Sequence, residues 1–167
     1  MWRPDFEFSQ VHKGRLSGHH RRLSLFSNHY RGTVEMPGLV LGLDRGGSCV
    51  GMVYEVAEEN WLDVLAQVRR RELISDAYRE IVKSVYVEPL NTTVSAVTYA
   101  VNRRQHQYAA PMDISKTLAF VAQGHGNAGS CHDYVINTIM HLRGLGIHDP
   151  KLEELAPHLG LSDRLNP

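Results

Sequence analysis

One amphipathic segment, set between two stretches rich in strand formers, constrains this chain more than any other feature. From Asn60 onward, Trp61, Leu62, Val64, Leu65 and Val68 fall on one helical face, while Gln67, Arg69 and Arg70 fall outside it. Asn60 stands where a cap is needed, and the helix runs out near Arg69-Arg70-Arg71-Glu72. Ser75-Asp76 breaks the pattern. Tyr78 to Val87 and Val94 to Val101 are then rich in β-branched and aromatic residues, with a turn at Pro89 to Asn91.

Before the helix, Arg21 to Phe26 alternates with period two and reads as a half-buried strand, and Ser27 to Gly38 reads as a loop. Leu39 to Leu43 and Cys49 to Val56 read as a hairpin that turns at Gly46-Gly47. After the second β-rich stretch, Asn102 to Tyr108 is a polar loop. Asp113 or Ser115 starts a helix through Ile114, Leu118 and Val121, and the glycine-broken stretch Gly124 to Gly129 interrupts it. Ser130, with Asp133 three residues on, resembles a capping box for a helix carrying Val135, Ile139 and Leu142, which Gly144 and Gly146 stop. Asp149 and Pro150 open a last helix with Leu152, Leu155 and Leu159 facing inward. Strands, one helix, strands and then helices describe an α+β fold with a mainly antiparallel sheet.

The 167 residues fit a single domain. Eighteen basic residues balance eighteen acidic ones, so no overall field favours nucleic acid or an anionic membrane, and neither is expected as a partner. Cys49 and Cys131 lie far apart and in no CxxC spacing, which suits free thiols in a reducing cytosol. No apolar run approaches the ~18 residues of a membrane span, so the expected location is cytoplasmic. Ten histidines show no HExxH or HxH spacing, so no metal site is expected. The loop Gly124 to Ser130 leads into a helix N-terminus and reads either as an anion site or as a plain connection between helices. Glu72, taken alone, is the solvated end of a helix behind a charge run.

The order of the pieces changes that reading. Gly18-His19-His20-Arg21-Arg22, Ser27 to Thr33, Pro37-Gly38-Leu39-Val40 and Gly46-Gly47-Ser48-Cys49 resemble the first half of ChaC-like proteins, the glutathione-specific γ-glutamylcyclotransferases. The match continues through Arg70-Arg71-Glu72 with Tyr78, Tyr108-Ala109, Gly129-Ser130 with Asp133-Tyr134, Asn137 to Leu142, and Leu145 to Pro150. The resemblance implies a single α+β domain over 1–167, a small β-barrel with flanking helices and a pocket at its mouth. It implies release of 5-oxoproline from glutathione, with cysteinylglycine as the other product and no cofactor. The family's catalytic glutamate follows an arginine shortly before Gly-Tyr, which carries over to Arg71-Glu72 with Ala77-Tyr78, alanine standing where the family has glycine.

Glu72 is thus the expected general acid/base. Tyr78, Tyr108 and Tyr134 are candidates for the pocket wall, with core packing as the alternative for each. Arg31 and Arg71 are candidates to meet a substrate carboxylate, with structural ion pairing as the alternative. ChaC-like proteins also begin with a strand ending Tyr-Gly-Ser-Leu, a backbone cradle directly ahead of the Trp-x-Pro that is here Trp2-Arg3-Pro4. The chain is therefore expected to be short at its N-terminus, with the first strand missing through a late start or a true loss. A barrel lacking one edge and most of its cradle would turn over weakly or not at all, which leaves a non-catalytic small-ligand-binding protein on the same fold as the second reading.

Overall fold

Two strands of 18 residues each make up the first part of the sheet: β1, Gln10–Ser27, and β2, Gly38–Glu55. The hairpin expected at Gly46-Gly47 is absent, and β2 passes straight through both glycines. Gly46 (φ 100°) and Gly47 (φ 63°) do take the left-handed backbone that a tight hairpin turn needs, but a bulge inside a strand uses the same conformation. The neighbouring strand decides between the two: His20 Nδ1 on β1 donates to the Gly46 carbonyl at 2.9 Å, close to Gly18, itself at φ 80°. Helix α1 spans Trp61–Glu72, and β3 (Tyr78–Val87) and β4 (Thr92–Val101) follow it close to their expected bounds. Asn60 precedes α1 but does not cap it through its side chain. A 3₁₀ turn over Glu58–Asn60 already holds it, with the Asn60 N–H on the Ala57 carbonyl at 3.0 Å.

The coordinates are a computed structural model that describes residues 4–161. Met1, Trp2 and Arg3, part of the reading of the N-terminus, lie outside the described residues. The four strands close into a barrel in the order β1-β2-β4-β3, so the open edge expected from the resemblance is not found among the described residues. Antiparallel pairing of β3 with β4 runs from Tyr78–Val101 to Val87–Thr92, and β1 closes on β3 through Gly14–Val87, Arg15–Tyr86 and Leu16–Val85. A four-stranded barrel leaves little interior. A Cβ on Gly14 would fall 2.6 Å from Val53 Cγ2 and 2.7 Å from Val85 Cγ1, so closure there needs glycine.

The described chain gathers into two compact units, 4–20 with 45–102 and 21–44 with 103–161. The first holds the barrel pairing described above and α1. Val64 and Val68 of α1 pack on Tyr99 of β4, joined by Phe6, Val56, Tyr78 and Val97, and each buried valine is worth about 1.5–3 kcal/mol.

The second unit holds α2 (Ile114–Gln123), a two-stranded hairpin of β5 (His125–Gly126) and β6 (Gly129–Ser130), α3 (Cys131–Gly144), and α4 (Pro150–Glu153) with a 3₁₀ turn over Ala156–Leu159. Three caps act where the sequence places them. Asp113 Oδ1 accepts from the Lys116 N–H at 2.8 Å, Ser130 Oγ from Asp133 at 3.0 Å and Asp149 Oδ1 from Leu152 at 3.3 Å. The last helix is shorter than expected because Pro157 interrupts it, yet Leu152, Leu155 and Leu159 are all buried.

The stretch 124–130, read as a connection or an anion site, is a hairpin clasped to the loop 28–37. Asn127 and Ala128 donate to the His29 and Tyr30 carbonyls, both at 2.9 Å. The two backbones touch so closely that glycine stands at each crossing. A Cβ on Gly38 would lie 2.0 Å from the Arg31 carbonyl oxygen, one on Gly124 2.4 Å from the same atom, and one on Gly126 2.5 Å from that of His29. Cys131 closes the clasp from below: its Sγ accepts from the Leu39 N–H (3.2 Å) and donates to the Leu39 carbonyl (3.1 Å). Burial pushes this thiol above its ordinary range, so the nucleophilic thiolate is scarce as well as enclosed. Cys131 is therefore expected to resist iodoacetamide at pH 8 in the native protein and to label fully once denaturant is added, as read by peptide mass spectrometry. Rapid native labelling at Cys131 would contradict this packing.

Candidate active site

Helical periodicity carries the buried stripe of α1 to its final residue. Val64 and Val68 are four apart and face the core, and four residues further stands Glu72, turned to the side where another apolar residue would sit. Its side chain is only 15% exposed. Oε1 accepts from Arg71 Nε at 3.0 Å, while Oε2 accepts no hydrogen bond among the described residues.

The arginine run ahead of it divides into separate jobs. Arg69 grips the Glu80 carboxylate of β3 with two bonds, Nε to Oε2 at 2.7 Å and Nη2 to Oε1 at 2.6 Å, and the Tyr99 hydroxyl adds a third at 3.0 Å. Glu80 and Tyr99 stand opposite each other across β3 and β4. The Arg69 bond holds the Glu80 carboxyl below its ordinary value against the effect of burial, while burial and then the Glu80 hydrogen bond push the Tyr99 phenol well up. Arg70 is exposed. Arg71 bridges two carboxylates, donating through Nη1 to Asp5 Oδ1 and through Nε to Glu72.

The first unit therefore brings Arg71 and Glu72 into contact and seats Tyr78 on the apolar cluster that the Glu72 stripe continues. Arg31, Tyr108 and Tyr134 belong to the second unit. Arg31 Nη1 donates to the carbonyls of Ala128 and, at 3.3 Å, of Ser130, and its guanidinium carbon lies 5.2 Å from the centre of the Tyr134 ring. The Tyr134 hydroxyl accepts from the Leu41 N–H at 3.1 Å, and burial pushes its pKa up to about 12. Tyr108 has both hydroxyl roles filled. It donates to Asp44 Oδ2 at 2.9 Å and accepts from Arg22 Nη2 at 3.0 Å, in a network where Asp44, 1% exposed, also takes Arg22 Nε (2.8 Å) and Arg103 Nε (2.6 Å).

Sequence reasoning missed Asp5, Glu80, Tyr99 and Asp44. Glu80 was within reach, since it lies two residues beyond Tyr78 and so on the same face of its strand. Asp44 reads as a turn residue beside Arg45-Gly46, and nothing local marks it as buried.

A family profile described as ChaC-like protein matches residues 1–160. The chain belongs to the ChaC-like family. This ChaC-like chain is 28% identical over 155 residues to the glutathione-specific gamma-glutamylcyclotransferase of Escherichia coli (strain K12), covering 93% of the chain and 67% of that relative. It is 27% identical over 167 residues to the glutathione-specific gamma-glutamylcyclotransferase 1 of Mus musculus, covering 96% and 74%. A solved yeast gamma-glutamyl cyclotransferase specific to glutathione superposes with a TM-score of 0.81 over 94% of this chain and 90% of its own, at 18% identity. That superposition establishes the fold, an α+β barrel with flanking helices, as the resemblance implies.

Proposed function

We propose that this ChaC-like protein is a γ-glutamylcyclotransferase that cleaves glutathione to 5-oxoproline and cysteinylglycine, with Glu72 as the general acid/base. The observation that carries the reading is the state of the Glu72 carboxylate: largely enclosed, fixed at Oε1 by Arg71, with Oε2 free of protein donors among the described residues. A base needs one oxygen held for orientation and the other available to the substrate.

In the proposed reaction, the free-base α-amine of the glutamyl moiety attacks its own γ-carbonyl carbon, a C–N bond closes the five-membered ring, and the bond to the cysteinyl nitrogen breaks. Glu72 takes the proton that the attacking amine sheds and returns one to the departing nitrogen, so the atoms balance without a second reactant. Because nucleophile and electrophile share one molecule, orientation within the site can supply roughly 7–11 kcal/mol of the barrier reduction. The oxyanion at the γ-carbon calls for N–H donors, each worth about 3–4 kcal/mol when removed.

Arg71 and Tyr78 are proposed as neighbours of the reacting carboxylate. Arg31 with its stacked Tyr134 offers a cation and an aromatic face suited to a substrate carboxylate. Tyr108 is retained as a substrate contact on the resemblance alone, since its hydroxyl is engaged by Asp44 and Arg22. A glutathione substrate suits the cytoplasm. Incubation with reduced glutathione is expected to give 5-oxoproline and cysteinylglycine in equal amounts. Binding of glutathione by the folded protein with no release of either product would overturn the reading in favour of a non-catalytic ligand-binding protein.

A further inference from the structure

We propose that Asp5 is a positioning residue for Glu72, acting through Arg71; the inference rests on the reading of Glu72 given above. Adjacent residues of a helix point about 100° apart and do not normally face each other. The Arg71–Glu72 contact is therefore not a product of helix geometry. Arg71 has to fold back along the helix to place Nε on Glu72 Oε1, and a long side chain that is 33% exposed would otherwise sample many rotamers in water. Asp5 takes the other edge of the same guanidinium, through Nη1, and thereby fixes the fold-back.

Asp5 is itself anchored. Its carbonyl accepts from Gln67 Nε2 at 2.8 Å, one turn back along α1. The next residue, Phe6, packs against the Val64, Val68 and Tyr99 cluster and meets the Tyr54 ring edge-on at 5.7 Å. Ser9 ties down the end of the segment, with its N–H and hydroxyl on the Glu55 carbonyl at 2.8 and 3.1 Å. Residues 5–9 thus form a strap whose first member holds the arginine that holds the carboxylate. Without Asp5, Glu72 keeps its surroundings but loses the orientation of the one donor it has among the described residues.

The experiment compares Asp5→Asn, Asp5→Glu, Arg71→Gln and the double variant Asp5→Asn/Arg71→Gln for kcat, KM and melting temperature, beside the Arg71 Nε–H signal in ¹⁵N NMR. Asp5→Asn is expected to lower kcat about tenfold, within the roughly hundredfold that a 1 Å misplacement can cost, with KM and melting temperature unchanged. Asp5→Glu should recover most of the loss, and the double variant should be no slower than Arg71→Gln alone, because both changes break one chain of contacts. The Arg71 Nε–H should exchange faster in Asp5→Asn. A parent kcat in Asp5→Asn, or losses that simply add in the double variant, would overturn the proposal. Should the parent protein release no 5-oxoproline, the reading of Glu72 fails, and the NMR arm still decides the positioning: unchanged Nε–H exchange in Asp5→Asn overturns it, faster exchange supports it.

Discussion

Replacing Glu72 by glutamine is expected to slow 5-oxoproline release from glutathione by about 100- to 10,000-fold, the contribution of a positioned proton-transfer group. Glutamine keeps the length of the side chain, and its amide oxygen can still accept from Arg71 Nε, so the end of α1 should stay in place. What disappears is the ability to take a proton from the attacking amine. The dissociation constant for glutathione should therefore change little while kcat collapses, a split that calorimetry and chromatographic product analysis can read on the same sample. Turnover of Glu72→Gln at the parent rate would remove Glu72 from the mechanism.

Asp44→Ala is expected to have the largest effect on stability, about 3–5 kcal/mol, because it strands a buried charge. Asp44 is 1% exposed and stands beside Arg22, whose side chain is 13% exposed. Arg22 also donates to the Ala109 carbonyl at 2.6 Å, the Leu23 carbonyl at 3.1 Å and the Tyr108 hydroxyl at 3.0 Å, which hold it in place when its counter-charge is gone. Arg103, 45% exposed, can turn to water and matters less. At roughly 2–4 °C per kcal/mol for a chain of this size, the melting temperature should fall by about 10 °C. Asp44→Asn should fall between the two, since it keeps an acceptor but not the charge. A loss below about 1 kcal/mol in urea titration would mean that the second unit does not depend on this network.

The positions of α1, β3 and β4 are legible in the sequence because each rests on a period that neighbouring residues repeat. Glu72 is legible as the last residue of its helix for the same reason, but the charge run reads it as a solvated end, whereas its side chain, four residues on from Val68, is turned inward and only 15% exposed. The partners of the charged residues are not legible. Asp5 lies 66 residues from Arg71, and Tyr108 lies 64 from Asp44, and periodicity reports which face a side chain takes rather than what it meets there. The double glycine at 46 and 47 misleads for a different reason: positive φ serves a turn and a bulge equally, and only the strand alongside distinguishes them. The arginine run reads as a solvated face, yet of its three members Arg69 and Arg71 hold carboxylates, and Arg70 is exposed and holds none among the described residues.

The glycine clasp between loop 28–37 and the hairpin at 125–130 also sets a timetable. His29 and Asn127, which meet there, are 98 residues apart. During synthesis, the carbonyls of His29 and Tyr30 must stay hydrated until the chain has grown past Ala128, several seconds later at about 5–20 residues per second. The early loop, however well suited its glycines, is unfinished until just over three-quarters of these 167 residues have been made. A ribosome that stalled before residue 124 would hold a nascent chain able to pair β3 with β4 but unable to close this part of the second unit.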